Sequence, residues 1–256
     1  MKVENILGYN IAVEGVNKCV EEIYHWIERR SNSKYCVCAN PHSIELALND
    51  PLFSQALHSA DLVIPDGIGV VWASRFLGGE ITERVTGSDI FEGVCSFLDR
   101  RGAGKVFFLG STVETLQSIE AKMQERFPSL EVAGLYSPPF RNEFNDAENA
   151  RMVETVNSAQ PDVLWVGITA PKQEKWIFLN LARLKVPAIC AIGAVFDFFT
   201  GRVYRAPRAL QQIGLEWLPR LIQQPRRMWR RNFVSNPKFV LKVISAALNL
   251  ANRPDR

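Results

Sequence analysis

The sequence predicts an α/β fold, a mostly parallel sheet with helices on both faces, followed by a basic helical appendage. Three observations carry that prediction. Short uncharged runs rich in β-branched and aromatic residues recur through the first 200 residues, each closed by Gly, Pro or Asn. Segments of helical periodicity separate them, at intervals too long for hairpins, as parallel pairing requires. Beyond Gly201 the strand signal stops, and arginines interleave with large apolar residues at helical spacing.

Taken in order, Val3 to Leu7 reads as a short strand, followed by a turn and a helix with Val16, Val20, Ile23, Trp26 and Ile27 inside. Tyr35 to Ala39 is a strand. Asn40-Pro41 then opens a helix, with asparagine as cap and proline at the first helical position. Asp61 to Ile64 forms the next strand and stops at Pro65-Asp66-Gly67-Ile68-Gly69, after which Val70, Val71, Ala73, Phe76 and Leu77 set a helical pattern. A helix starts at Thr86-Gly87-Ser88-Asp89 and runs to about Arg100. Val106 to Leu109 is a buried strand ending in Gly110-Ser111-Thr112, with a helix to Phe127 behind it. Glu131 to Leu135 is strand-like, and Asn145 to Ser158 is helical. Val163 to Gly167 is a strand, and Ala170-Pro171-Lys172-Gln173-Glu174-Lys175-Trp176 opens the next helix. Ala188 to Ile192 is the last strand, and an amphipathic helix spans 237–251. The architecture is therefore Rossmann-like, with a core over 1–200 and an appendage over 201–256.

Composition bounds the function. The chain has 256 residues, 47% hydrophobic and 22% charged, enough for a sizeable soluble core. Lys2, Glu4, Gly8 and Asn10 break up the early apolar residues, so no secretory signal is expected. The longest apolar run, Ala188 to Phe196, is far short of the ~20 residues of a membrane span. Five cysteines, an odd number, point to free thiols in a reducing cytoplasm. The net charge of +3 conceals a split, because ten arginines and two lysines against Glu216 and Asp255 make the tail +10 and leave −7 on the body. A basic, aromatic-rich tail suits a polyanion, either an anionic membrane surface or nucleic acid. The acidic body and the amphipathic 237–251 segment favour the membrane and no nucleic acid. A non-catalytic nucleotide- or nucleic-acid-binding module is the alternative reading, and a homo-oligomer is compatible with either.

In a parallel sheet the residues after each strand share one rim, where ligands bind. Asn40, Asp66, Gly110, the stretch from Gly167 to Gln173 and the stretch from Gly193 to Asp197 all occupy such positions. Helix N-termini there offer N–H groups to a phosphate or diphosphate, and Gly110 permits close backbone approach to an anion. Asp66, between proline and two glycines, is the first candidate for chemistry, although Asp-Gly is also an ordinary turn pair. No GxGxxG follows the first strand and no GxxxxGK[ST] occurs, which disfavours dinucleotide oxidoreduction and P-loop hydrolysis. Cys36 and Cys38 have no second CxC or CxxC, so neither a metal site nor a cofactor is expected.

Pro65-Asp66-Gly67-Ile68-Gly69, Glu83 to Asp89, Ala170 to Trp176 and Gly214-Leu215-Glu216-Trp217 together resemble the WecG/TagA/CpsF glycosyltransferases, family 26. Gly110, the Phe196-Asp197 to Gly201 segment and Arg205-Ala206-Pro207 are similar too, so the resemblance runs from about residue 3 to 240. It implies an inverting, metal-independent enzyme that moves a sugar, of N-acetylmannosamine or glucose type, from a UDP donor. The implied acceptor is a polyprenyl-diphosphate-linked saccharide in bacterial surface or exopolysaccharide synthesis. The implied location is cytoplasmic, peripheral on the inner membrane face. Asp66 is implied as general base, with Arg84 and Gln173 contacting donor or acceptor. The family's Thr-x-Asn falls on Cys38-Ala39-Asn40, so a thiol, a poor hydrogen-bond donor, replaces a hydroxyl. Lys172 and the Gly110 turn, with Arg84, are placed to relieve charge on departing UDP. Arg205 and Arg220 in the tail are expected to reach the donor diphosphate.

Overall fold

Alternation along each strand decides which sheet face a side chain meets, and here both faces are covered. A computed structural model describes residues 1–30, 32–141, 143–204, 206, 217–223 and 225–251. The main sheet has six parallel strands in the order β4-β3-β8-β7-β5-β6. Their ranges are β3 (Lys34–Ala39), β4 (Leu62–Pro65), β5 (Lys105–Gly110), β6 (Glu131–Tyr136), β7 (Val163–Gly167) and β8 (Ala188–Ala191).

Tyr35, Val37 and Ala39 point into one core cluster, together with Leu164, Val166 and Ile189 from the neighbouring strands. Cys36, Val163, Trp165 and Cys190 point into the other. This is the period-two signature of strands buried on both faces, and it explains their near-continuous apolar sequences. An aromatic group anchors the second face. Phe91 packs edge-to-face on Trp165 and Phe199, with ring centroids 5.1 and 4.9 Å apart. Such pairs contribute about 0.5–1.5 kcal/mol each beyond their area. They fix the helix after Thr86 and the helix after β8 against the sheet.

The amino-terminal segment departs from the sequence reading. Val3–Ile6 (β1) is followed by a return strand, Tyr9–Ala12 (β2), and the two pair antiparallel in a separate hairpin. Leu7 and Gly8 both have positive φ, 51° and 99°, as a two-residue hairpin turn demands. Leucine is a poor residue for that conformation, so the turn carried little sequence signal.

Helix direction opens two crevices at the carboxyl rim. The helix α1 (Val16–Arg29) follows β2, and after β3 the helix α2 (Pro41–Ala47) buries Ile44 and Ala47 in the first core. After the adjacent β8, the helix Val195–Thr200 buries Val195, Phe196 and Phe199 in the second. The same divergence separates β7 from β5. The helix Lys172–Asn180 places Trp176 and Ile177 on the first face, and Val113–Arg126 places Leu116 and Ile119 on the second. At the β5/β7 boundary the strand connections also reverse, β5 leading to β6 and β7 to β8, and ligands bind at such points in open α/β sheets.

At the carboxyl end, Trp217–Gln223, Pro225–Arg230, a π-helical turn Arg231–Ser235 and the helix Asn236–Ala251 follow one another. Phe239 and Val243 join the first core. His42 Nδ1 and Ser235 Oγ are 2.8 Å apart, and Lys242 Nζ donates to Glu45 Oε2 at 2.7 Å. The last helix is thereby seated on α2.

Candidate active site

The strand β4 ends at Pro65 and hands the chain to Asp66, whose N–H still bonds the Ala39 carbonyl at 2.8 Å. Gly67 then turns with φ 101°, a conformation that favours glycine, and the helix Ile68–Phe76 begins. One neighbouring side chain both ends a strand and orients the carboxylate. Asn40 Oδ1 accepts from the Ser43 N–H at 3.0 Å, capping α2, while its Nδ2 donates to Asp66 Oδ2 at 3.3 Å. The cap and Pro41 at the first helical position match the sequence reading. Thr86 likewise caps the helix Gly87–Arg101 in a capping box with Asp89. The Val85 N–H bonds the Pro65 carbonyl at 2.9 Å, which holds half-buried Arg84 near the Asp66 turn.

Around Asp66 lies a cleft of about 150 Å³. Its lining includes Cys38, Asn40, Asp66, Ser88, Gln173 and Glu174, with Arg231 from the carboxyl-terminal segment. Burial pushes the Cys38 thiol well above its usual range, with the Asp66 carboxylate adding to the effect. Cys38 therefore stays a neutral thiol, and its Sγ lies 3.5 Å from the Ala191 carbonyl oxygen. Gln173 and Glu174 are fully buried in the first turn of their helix. Gln173 Nε2 donates to Glu174 Oε1 at 2.9 Å, and the Thr169 N–H donates to Gln173 Oε1 at 3.3 Å.

A second, larger cleft of about 1290 Å³ opens between β5 and β7. Ser111 to Glu114 line one side, with Ser111 at φ 56° and Thr112 capping the helix that follows. Ser137 Oγ donates to the Ser111 carbonyl at 2.7 Å, pinning this turn to the loop after β6. Lys172, Lys175 and Arg141 bring positive charge, and Asp197 lies across from them on the helix after β8. Lys172 Nζ donates to the Arg141 carbonyl and sits 4.3 Å over the Phe144 ring, and burial lowers its pKa. Thr169, Ala170, Gly193 and Ala194 line both clefts and form the lip between them.

The structure brings Cys38, Asn40, Asp66 and Gln173 together in the smaller cleft and places Lys172 in the larger. Arg84 and Gly110 line neither. A Cβ on Gly110 would stand 2.4 Å from the Gly167 carbonyl oxygen, so glycine here permits close approach of β5 to β7, at φ 130°. Arg205 and Gly214 to Glu216 lie outside the described residues. Arg220 falls on the helix Trp217–Gln223, with its side chain outside them too. Glu174, Ser88 and Arg231 were not named as site residues from sequence, and Ser111 and Asp197 were placed only among the strand-end positions. Glu174 adjoins Gln173 in a helical first turn, where acidic side chains are ordinarily solvated. Among the described residues no group of three His, Cys, Asp or Glu is placed to hold a metal ion.

A family model described as Glycosyl transferase WecG/TagA/CpsF family matches residues 4–253. The chain is 32% identical over 217 residues to an N-acetylglucosaminyldiphosphoundecaprenol N-acetyl-beta-D-mannosaminyltransferase of Bacillus spizizenii, covering 84% of this chain and 80% of that protein. A protein of the same name from Bacillus subtilis is 29% identical over 226 residues, 88% of this chain and 84% of the relative. Another, from Staphylococcus aureus, is 26% identical over 243 residues, 94% and 92% of the two chains.

Proposed function

Because the chain belongs to the WecG/TagA/CpsF glycosyltransferase family, we propose that it transfers an N-acetylmannosamine-type sugar from UDP to an undecaprenyl-diphosphate-linked saccharide carrying N-acetylglucosamine. The relatives' names support both the sugar and the acceptor. The observation that carries the reading is the Asp66 carboxylate, hydrogen-bonded by Asn40 in a cleft beside a second, larger one.

In this reading the larger cleft takes the nucleotide, and its volume suits a ligand of that size. The donor diphosphate lies toward the N-terminal turns at Thr112 and Lys172, where free N–H groups and lysine meet its charge. The acceptor's terminal sugar enters the smaller cleft with a hydroxyl on Asp66. Asp66 takes the hydroxyl proton as the acceptor oxygen bonds to the donor's anomeric carbon. The bond from that carbon to the diphosphate oxygen breaks, and UDP leaves with the electron pair. Attack from the face opposite UDP inverts the anomeric centre, and the reading calls on no metal ion. Positive charge developing on the sugar ring is offset by the carboxylate beside it.

The lipid acceptor supports a peripheral place at the membrane. Among the described residues no helix is long and apolar enough to cross a bilayer. On the last helix Val240, Leu241, Ile244 and Leu248 are exposed while Phe239 and Val243 are buried. Trp229 and Phe233 are exposed just before it. An apolar stripe facing outward, in a segment rich in arginine, suits an interface between water and anionic headgroups.

The test is a donor screen. The purified protein is incubated with several UDP-sugars and a short-chain polyprenyl-diphosphate N-acetylglucosamine, with and without EDTA, and products are read by mass. The expected product is a disaccharide lipid from UDP-N-acetylmannosamine, unaffected by chelator. No product from any UDP-sugar refutes the assignment.

A further inference from the structure

Glu174 is a buried acid whose chemistry the transfer mechanism above leaves unused. It is 1% exposed, it lines the smaller cleft, and its two carboxyl oxygens differ. Oε1 accepts the Gln173 amide, while Oε2 is buried with no hydrogen-bond partner. A buried carboxyl oxygen left unpaired costs about 1–3 kcal/mol, more if charged, so the cleft must bring it a partner, water or ligand. Near neutral pH the group is available to that ligand as an uncharged acid. Burial raises its pKa to about 7, against the opposing effect of the Gln173 amide and its own backbone N–H.

The charged groups around it are of both signs, and burial is what favours the neutral form. Asp66, after β4, lines the same cleft and must be ionised to act as base. Cys38 on β3 is held neutral, and Arg231 contributes a cation from the carboxyl-terminal segment. On its own helix, Lys175 is paired with Asp50 and Lys172 faces the larger cleft. Of the cleft's amides, Asn40 gives one N–H to Asp66 and Gln173 one to Glu174. The Cys38 thiol donates poorly. Among the described lining residues, Glu174 Oε2 is the buried side-chain oxygen left without a hydrogen-bond partner, so a ligand atom that can only accept can take its bond there.

We propose that uncharged Glu174 donates a hydrogen bond from Oε2 to the acetamido carbonyl of the acceptor's N-acetyl sugar, making it a specificity-determining residue. The assignment rests on the smaller cleft being the acceptor site. An amide carbonyl has no proton to give, unlike a sugar hydroxyl, so Glu174 separates N-acetylated from plain acceptors. Ionisation of Glu174 turns its donor into a repelling oxygen, and binding draws the proton back.

The experiment is calorimetric titration of the intact protein with short-chain polyprenyl-diphosphate N-acetylglucosamine, and with its glucose counterpart, from pH 6 to 8.5. Runs in two buffers of different ionisation enthalpy count protons. For the N-acetyl ligand the affinity should fall about tenfold across that range, with proton uptake on binding at pH 8. The glucose ligand should bind more weakly and without uptake. Glu174→Gln keeps the bond from Gln173 on its amide oxygen and turns a permanent N–H₂ donor into the cleft. It should bind the N-acetyl ligand at near the acidic-limit affinity at every pH, with no proton uptake. A merely structural glutamate would not produce that flattening. Wild-type binding that is pH-independent and free of proton uptake overturns the proposal whether or not the variant folds. Failure of either ligand to bind at any pH overturns it together with the acceptor-site assignment.

Discussion

Replacing Asp66 by asparagine should remove the base while leaving the cleft standing. The backbone bond from residue 66 to Ala39, at 2.8 Å, does not involve the side chain. Asn40 Nδ2, now 3.3 Å from Asp66 Oδ2, can donate equally to the amide oxygen of the variant. The charge lost on that contact is worth about 1 kcal/mol, and the melting temperature is expected to move by only a few degrees. What is lost chemically is proton abstraction, ~10²–10⁴-fold in rate, or roughly 3–5 kcal/mol at the transition state. The two magnitudes differ enough to be separated. Single-turnover transfer, followed by mass with preloaded UDP-sugar, reads the second, and thermal unfolding reads the first. Donor affinity should be unchanged if, as proposed, the nucleotide occupies the neighbouring cleft. A rate within about threefold of wild type would refute Asp66 as base. So would a rate loss that tracks donor affinity, since that would make the carboxylate a donor ligand.

Two further outcomes follow from the carboxyl-terminal segment. Changing Val240, Ile244 and Leu248 together to serine should abolish sedimentation with anionic vesicles while leaving the fold intact, because Phe239 and Val243 keep the helix in the core. Retained vesicle binding would place the membrane contact elsewhere. Burial, with help from Arg231 and Arg230, lowers the His42 pKa to about 4. The unfolded chain, near 6.5, then binds the proton more readily, so this contribution is complete above pH 6.5 and disappears as pH falls toward 4. Screening of this partly exposed ring leaves about 1–2 kcal/mol. His42→Asn should flatten that limb of the stability profile in urea unfolding, and an unchanged slope would count against it.

The sheet was legible because its strands are buried on both faces. Val106 to Leu109 and Val163 to Gly167 spell near-continuous apolar runs, and Asn40 and Thr86 announce their helices by cap chemistry. Strand order was not legible, since every strand presents the same apolar pattern and only tertiary packing sets β8 between β3 and β7. The return strand β2 was hidden by an unusual turn residue, Leu7. In the site, Asp66, Asn40 and Gln173 follow from their positions after strands. Glu174 does not, because a first-turn glutamate looks solvated until the chain around it is folded. Gly110 illustrates the converse. It was expected to admit an anion, yet the space its missing side chain leaves is taken by the Gly167 backbone.

Thr169, Ala170, Gly193 and Ala194 stand between the two clefts as a party wall, thin because its members are small. Any bulk added there to narrow one chamber also intrudes on the other. With donor and acceptor placed in the two clefts as proposed, retuning the enzyme toward a new donor through these four positions would alter acceptor preference in the same step. Independent adjustment has to come from the outer walls, at residues such as Ser137 on one side and Ser88 on the other.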